Sequence, residues 1–446
     1  MIKLHPNAAT ALNDIASTIS SSNKLIQREK SEERPWGDSH ISAAFTDKDI
    51  IGSPRMFIVG GNGDKIGFST HLGGEPLSIE GEDFAKVLKL IQRVLGISTL
   101  KHLLSEEYVE EIAIDWCIEN SRTRSQPFSE YLLSRVKNDV AYHQIWVPVS
   151  SLQVQEDFQF GMSRIITIGR GFFDKAESSA LEARPGDREA INGFYNKMRR
   201  ELQGNAAVAV SVKGEPKFAS KQAQIDAEAA VGLLRFFHFA ALTSKIFCPT
   251  ALLGSEFTPQ IHGLTISGID RFQYARSIKH KNEHAWRLST SELSEMRRNN
   301  LDLAATLISD DGHSDFADRV RSSLLTYSKG ITFPDLSDRL VYSLSALEGL
   351  FLKDASEPIS QNLAERVAFS TSRDTDERIA IVKNFRTVYA ARSQYIHHRQ
   401  NKALPDDALE RFFCAAWAAL ATALGNVQKY STAAEFIEVI DRMKFS

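Results

Sequence analysis

The feature that most restricts the fold of this chain is an unbroken succession of helical patterns after residue 310. Apolar residues there recur at intervals of three and four, the period that gathers them on one face of an α-helix. The pattern predicts helices over 314–328, 335–353, 358–371, 375–396, 406–426 and 432–444, with short connections of Pro, Gly, Asp or Ser between them. Thr432 and Glu435 have the spacing of a capping box ahead of Phe436, Val439, Ile440 and Met443. Strand-like alternation does not recur in this stretch, so residues 311–446 are expected to close into an all-α helical bundle.

Residues 1–310 read differently. Segment 7–30 is a polar, Ser-rich helix candidate, and the charged KSEERPWGDS that follows reads as a loop. MFIVGGNGDKIGFSTHLGG then sets β-branched and aromatic residues around a Gly-Asn-Gly-Asp turn, the mark of a hairpin. From Glu82 to Leu95 helical spacing returns, with Phe84, Val87, Leu88, Ile91 and Leu95 on one stripe. The alternation between Tyr142 and Arg170, broken by Pro and Gly, predicts two or three strands. Segments 206–212 and 263–268 predict two more, with a helix over 221–242 between them. Residues 1–310 are therefore expected to form an α+β domain, a candidate sensor or regulatory region whose trigger the residues do not reveal. No repeat and no regular strand-helix alternation points to a doubly wound sheet.

Composition narrows the function. The chain has 446 residues, 43% hydrophobic and 24% charged, values that exclude a disordered or collagen-like polymer. A net charge of -3 argues against a globally basic nucleic-acid-binding surface and leaves room for one local site. Cys117, Cys248 and Cys414 are far apart with no CxxC pair, a usage that suits a reducing compartment and offers no thiolate zinc site. The first residues lack the basic and apolar regions of a secretion signal. The apolar run from Phe412 to Leu424 falls short of the roughly 20 residues that span a bilayer. The chain is thus expected to be soluble and cytoplasmic, with no membrane partner.

Several site patterns fail on inspection. GGNGDKIG lacks the Lys-Ser/Thr of a phosphate loop, and no GxSxG elbow exists. His280, Glu283 and His284 match the letters of an HxxEH zinc motif, but the surrounding sequence is so polar that a solvated surface is the better reading. No metal and no cofactor is expected.

The bundle differs because it places charge where apolar side chains belong. Arg392 continues the stripe of Ile381, Phe385 and Tyr389, and Ile396 follows it. Glu348 continues Val341 and Ser345 toward Leu352, and Arg366 follows Ile359 and Leu363. Buried charge is costly unless paired. One reading is an ion-pair network that only fixes packing, Glu348 with Arg366 or with Arg392. The other is a cleft lined by Arg392. After Arg392 come Ser393 and then the doublet His397-His398, where the apolar pattern stops and the helix is expected to end near Ile396. An imidazole in a last helical turn favours its protonated form, which suits an acid role.

These residues carry a resemblance. Residues 315–400, with SALEGLFL at 345–352, NLAERVAFS at 362–370 and VYAARSQYIHH at 388–398, resemble the Apea-like branch of the HEPN domains. The hallmark of that family is Arg, four to six residues, then His, often with a polar residue directly after the Arg; Arg392, Ser393 and His397 match it. The doublet leaves His397 or His398 as the catalytic imidazole, and the Gly common after the His is replaced by His398-Arg399. The resemblance implies a helical bundle that forms homodimers, two Arg/His sets facing one cleft, and metal-independent endoribonuclease activity of the toxin or antiphage-defence type. Arg392 and His397 would be catalytic, with Ser393, His398, Glu348 and Arg366 in support.

The chemistry is coherent without the family. RNA supplies its own nucleophile, the 2′-hydroxyl, so cleavage needs a proton shuttle and a cation on the phosphorane-like transition state. His397 can be the first and Arg392, with its bidentate fork, the second. Positions five apart on a regular helix lie about 140° apart, so convergence requires the helix to end or a second subunit to contribute. The alternative keeps the fold and makes it a non-catalytic RNA- or nucleotide-binding and dimerisation module. The near-zero charge of the bundle mildly favours a small or loop-like RNA.

Overall fold

A computed structural model of the chain describes residues 3–20, 56–72, 75–123, 126–255, 260–267, 271–278, 285–309, 312–353, 357–398 and 404–445. Two compact units emerge: Met1–His143 with Val212–Gln222, and Gln144–Ser211 with Ala223–Ser446.

The first unit holds α1 (Pro6–Ser17), β1 (Met56–Val59), β2 (Lys65–Leu72), β3 (Glu75–Glu80), α2 (Gly81–Leu95), α3 (Glu106–Thr123) and α4 (Phe128–Asp139). The three strands form an antiparallel sheet in chain order. The expected hairpin is present as β1-β2: Gly60 N–H donates to Asp64 O at 2.8 Å, and Gly63 takes φ 92°. That conformation costs glycine little and other residues much. The stripe of α2 is Phe84, Val87, Leu90, Ile91 and Val94, packed with Phe68, Val109 and Phe128 in one apolar core. Leu88 and Leu95 are only partly buried there, so the inward face is centred about 50° from the expected one while keeping Phe84, Val87 and Ile91. α1 covers the first part of the predicted 7–30 helix and ends at Ser17, short of its expected length; residues 21–30 and KSEERPWGDS lie outside the described residues.

The chain then runs through β4 (Ala141–Ser150), β5 (Leu152–Val154), β6 (Phe158–Phe160), β7 (Ser163–Thr167), α5 (Arg170–Ala183), α6 (Arg188–Leu202), β8 (Ala206–Gly214) and α7 (Pro216–Arg235). β9 (Ala251–Leu252), β10 (Gln260–Ser267), β11 (Arg271–Ile278) and β12 (Trp286–Leu288) follow. β6-β7-β8-β4-β9 is a five-stranded sheet, β10-β11 an antiparallel hairpin, and β12 pairs with β5 in parallel. This is an α+β region with small sheets.

From there the chain is helical: α8 (Thr290–Arg298), α9 (Leu301–Thr306), α10 (Asp315–Gly330), α11 (Leu336–Phe351), α12 (Ile359–Thr371), α13 (Thr375–His398), α14 (Asp406–Gly425) and α15 (Ala433–Met443). Their starts are signalled locally. Ser314 accepts from Ala317 N–H, Asp335 from Ser337 and Asp338 N–H, and Thr432 with Glu435 forms the reciprocal capping box. Phe316, Tyr327, Leu344, Phe385, Phe412 and Phe413 are buried at the centre. α14 is the one helix among the described residues long and apolar enough to cross a membrane, yet its Leu409, Phe412, Phe413, Ala416 and Leu420 face is core.

The change from strands to helices falls between β12 and α8, near residue 289 and ahead of the expected 310, and it lies within the second compact unit. The physical reason is a buried clamp. Arg339 of α11, 2% exposed, donates to the carbonyls of Ala240, Thr243, Ser244 and Ile246 at 2.6–3.0 Å. Tyr327 donates to Ala241 O, Trp417 to Phe236 O, and Glu410 accepts from Thr243 and Ser244. Residues 236–246, distant in sequence, are thus hydrogen-bonded into the bundle.

Candidate functional site

α13 carries the residues singled out above, and its periodicity decides what they can do together. It is one continuous helix described through His398, two residues past the expected end near Ile396, so positions 392 and 397 both lie within it. At 100° and 1.5 Å per residue, positions 392 and 397 lie about 140° apart around the axis and about 7.5 Å apart along it. A regular helix does not bring those two positions of one chain to a single point. The side chains of His397 and His398 lie outside the described residues.

The fully buried row of α13 is Phe385, Val388 and Ala391. Arg392 follows on the shoulder of that row, with its side chain 18% exposed, rather than at its centre. Tyr389 and Ile381, expected to share the buried stripe, are half-buried with it, and Ser393 is half-buried beside it. The same offset holds on α11, where Leu340, Ser343, Leu344 and Leu347 are buried and Glu348 is half-buried.

These two shoulders meet. Arg392 Nη2 stands 3.7 Å from Glu348 Oε2, and the guanidinium carbon lies 5.7 Å from the centre of the Tyr389 ring. Arg392 Nε and Glu348 Oε1 are shielded from solvent without a hydrogen-bond partner among the described residues. Burial pushes the Tyr389 hydroxyl above its ordinary pKa; the Glu348 charge adds to the shift and Arg392 opposes it. The arrangement is a partly exposed cation held beside one carboxylate and one aromatic ring, with its Nε closed off from solvent. Such a group can bind an oxyanion.

Arg366 belongs to a different place. Its Nη1 donates to Phe351 O at 2.7 Å and to Glu357 Oε2 at 2.6 Å, and its Nε and Nη2 donate to the two oxygens of Asp441 at 3.0 and 3.1 Å. Of the two partners open to Glu348, the structure pairs it with Arg392. Burial alone would raise the Asp441 pKa, but hydrogen bonds from Arg366, Lys353 and Lys444 outweigh it and hold the carboxyl well below the usual range. Arg366 therefore ties α12 to α15, and its donors are spent on that packing.

Sequence reasoning passed over Arg339. It stands four residues before the buried Ser343, eight before Leu347 and eleven before Leu350, so the period that drew attention to Glu348 marks Arg339 one row over.

Among the described residues no group of three or more His, Cys, Asp or Glu could hold a metal ion. His280, Glu283 and His284 lie outside the described residues. Cys117, Cys248 and Cys414 are free thiols. No protein-family model, curated protein or solved structure matches the chain.

Proposed function

We propose that the C-terminal bundle is a HEPN-type, metal-independent endoribonuclease that cleaves RNA through the RNA's own 2′-hydroxyl, under the control of the N-terminal α+β region. The observation that carries the reading is the state of Arg392: half-buried with its side chain 18% exposed, held 3.7 Å from Glu348 and beside the Tyr389 ring. A guanidinium in that condition is preorganised for a phosphate, because it keeps its charge at every relevant pH and offers a planar fork. His397 supplies the proton transfer. The continuity of α13 makes the reading a dimeric one, in which Arg392 of one copy acts with His397 of the other.

The same continuity also favours a second reading, a non-catalytic RNA- or nucleotide-binding and dimerisation module. There Arg392 holds a phosphate and no imidazole converges on it. Incubating the purified full chain with total or transfer RNA in EDTA separates the two. Products ending in a cyclic phosphate and a 5′-hydroxyl select the nuclease. Binding without cleavage selects the module, and neither binding nor cleavage overturns both.

A further inference from the structure

α12, α13 and α15 enclose an open cleft of about 720 Å³ away from Arg392. Arg378, Lys383 and Arg386 of α13 and Lys444 beyond α15 line it, against the single carboxylate of Glu365. That carboxylate is already engaged by Lys444 at 3.1 Å and by Gln361 at 2.9 Å. Arg378 donates its Nε to Ser372 O at 2.8 Å and lies 4.2 Å over the Phe369 ring. Lys383 and Arg386, one turn apart, are exposed, and the Arg386 charge acts at a distance on Glu365. Between these charges the cleft is apolar, with Ile379 62% and Met443 44% exposed.

Two exposed cations beside exposed apolar surface and a guanidinium-aromatic stack define the complement: an anionic backbone bearing flat apolar groups. An acidic peptide satisfies the charges but leaves the stack and the apolar floor without planar partners. A single nucleic-acid strand satisfies both, its phosphates on the cations and its bases on the aromatic platform. Arg386 precedes Arg392 by six residues, about 9 Å along the same helix. A strand seated in the cleft therefore lies about 9 Å along the axis from Arg392 and about 120° around it, and reaches Arg392 by turning onto the next face of α13.

We infer that this cleft is a groove for single-stranded RNA, with Lys383 and Arg386 on neighbouring phosphates and the Phe369–Arg378 stack beneath a base. The inference rests on the reading of the bundle as an RNA-directed protein, and adds where the strand lies.

The test is fluorescence anisotropy of the full chain with a labelled, 2′-O-methylated single-stranded RNA of about 12 nucleotides in EDTA, over a series of KCl concentrations. The 2′-O-methyl groups remove the nucleophile, so binding is read whether or not the protein cleaves. The K383E/R386E variant is expected to bind at least tenfold more weakly, with the slope of log affinity against log salt reduced by about 1.4, the loss of two single-strand phosphate contacts. K197E/R200E on α6, an equal change of charge, is expected to keep the parent affinity. Should the first variant fail to fold, K383Q/R386Q replaces it, with the same reduction in slope. Unchanged affinity in the cleft variant, an equal loss in the α6 variant, or no binding by the parent overturns the groove. So does competition by a polyglutamate peptide as effective as by unlabelled RNA, which would assign the cleft to an acidic protein. Absence of cleavage of unmodified RNA together with these binding losses would sink the nuclease reading and leave the groove standing.

Discussion

Arg392 Nη2 and Glu348 Oε2 stand 3.7 Å apart across α11 and α13, each side chain about one-fifth exposed. At that separation and exposure a modest coupling is expected. Glu348→Ala and Arg392→Ala should each destabilise the protein, and the double variant should lose less than their sum by about 0.5–1 kcal/mol in urea denaturation. Additive effects would show that the two groups do not interact. Glu348→Ala should lower the melting temperature more than it alters cleavage; full stability with all cleavage lost would move Glu348 into the active site.

Arg366 is buried, and Glu357 and Asp441 are its carboxylate partners. Arg366→Met removes the guanidinium the two carboxylates share, leaving Asp441 to Lys353 and Lys444 and Glu357 to Asn362, and should cost about 1–3 kcal/mol. The pair also sets an acid limb. Because the folded pKa of Asp441 is depressed, its contribution is present above the unfolded value near 3.8 and is lost as pH falls through the folded one. Asp441→Asn should weaken the protein at neutral pH and make stability flatter below about pH 4. An Asp441→Asn curve parallel to the parent's would refute the assignment.

His238 follows α7, accepts from Ala240 N–H at 3.0 Å through Nδ1, and meets the Trp286 ring edge-on at 4.9 Å. Burial pushes its pKa down to about 4, slightly opposed by Glu292. The unfolded chain therefore takes up this proton first. Stability should be fully present above about pH 6.5 and decline as pH falls toward the folded value. His238→Gln should remove that decline, read from melting temperatures between those limits; an unchanged decline would place its origin elsewhere.

For the proposed nuclease, His397→Ala should remove about 10²–10⁴-fold of the single-turnover rate while RNA binding persists. Arg392→Ala should be at least as damaging. Arg392→Lys should rescue poorly, because an ammonium keeps the charge and loses the fork. His398→Ala should stay within a few-fold of the parent. Full activity in both Arg392→Ala and His397→Ala would reject the site, and loss in His398→Ala alone would move it by one residue.

The bundle was legible in the sequence because its signals are local. Helical period, the caps at Ser314 and Thr432, and the breaks between helices act over a few residues, and α10 to α15 lie within a few residues of the expected bounds. The hairpin at Gly60–Asp64 was legible for the same reason, since the turn chemistry is contained in the turn. α3 to α6 carried no equally plain pattern; α6 has no fully buried residue, and its inward stripe of Tyr195, Met198 and Leu202 is only partly covered.

Period alone specifies that a face exists, while neighbours decide how deep it goes. The stripes of α11 and α13 read one residue away from the rows that are fully buried, so Arg392 and Glu348, expected inside, stand at the edge and keep unspent polar atoms. Partners lay beyond local reasoning altogether. Arg366 reaches Asp441 across 75 residues, and Arg339 reaches Ala240 across 99. A buried guanidinium must satisfy its donors, but the sequence shows only that the debt exists. Which carbonyl or carboxylate meets it is decided by the packing of helices far apart in the chain, and that packing separates the spent Arg366 from Arg392, which retains a donor.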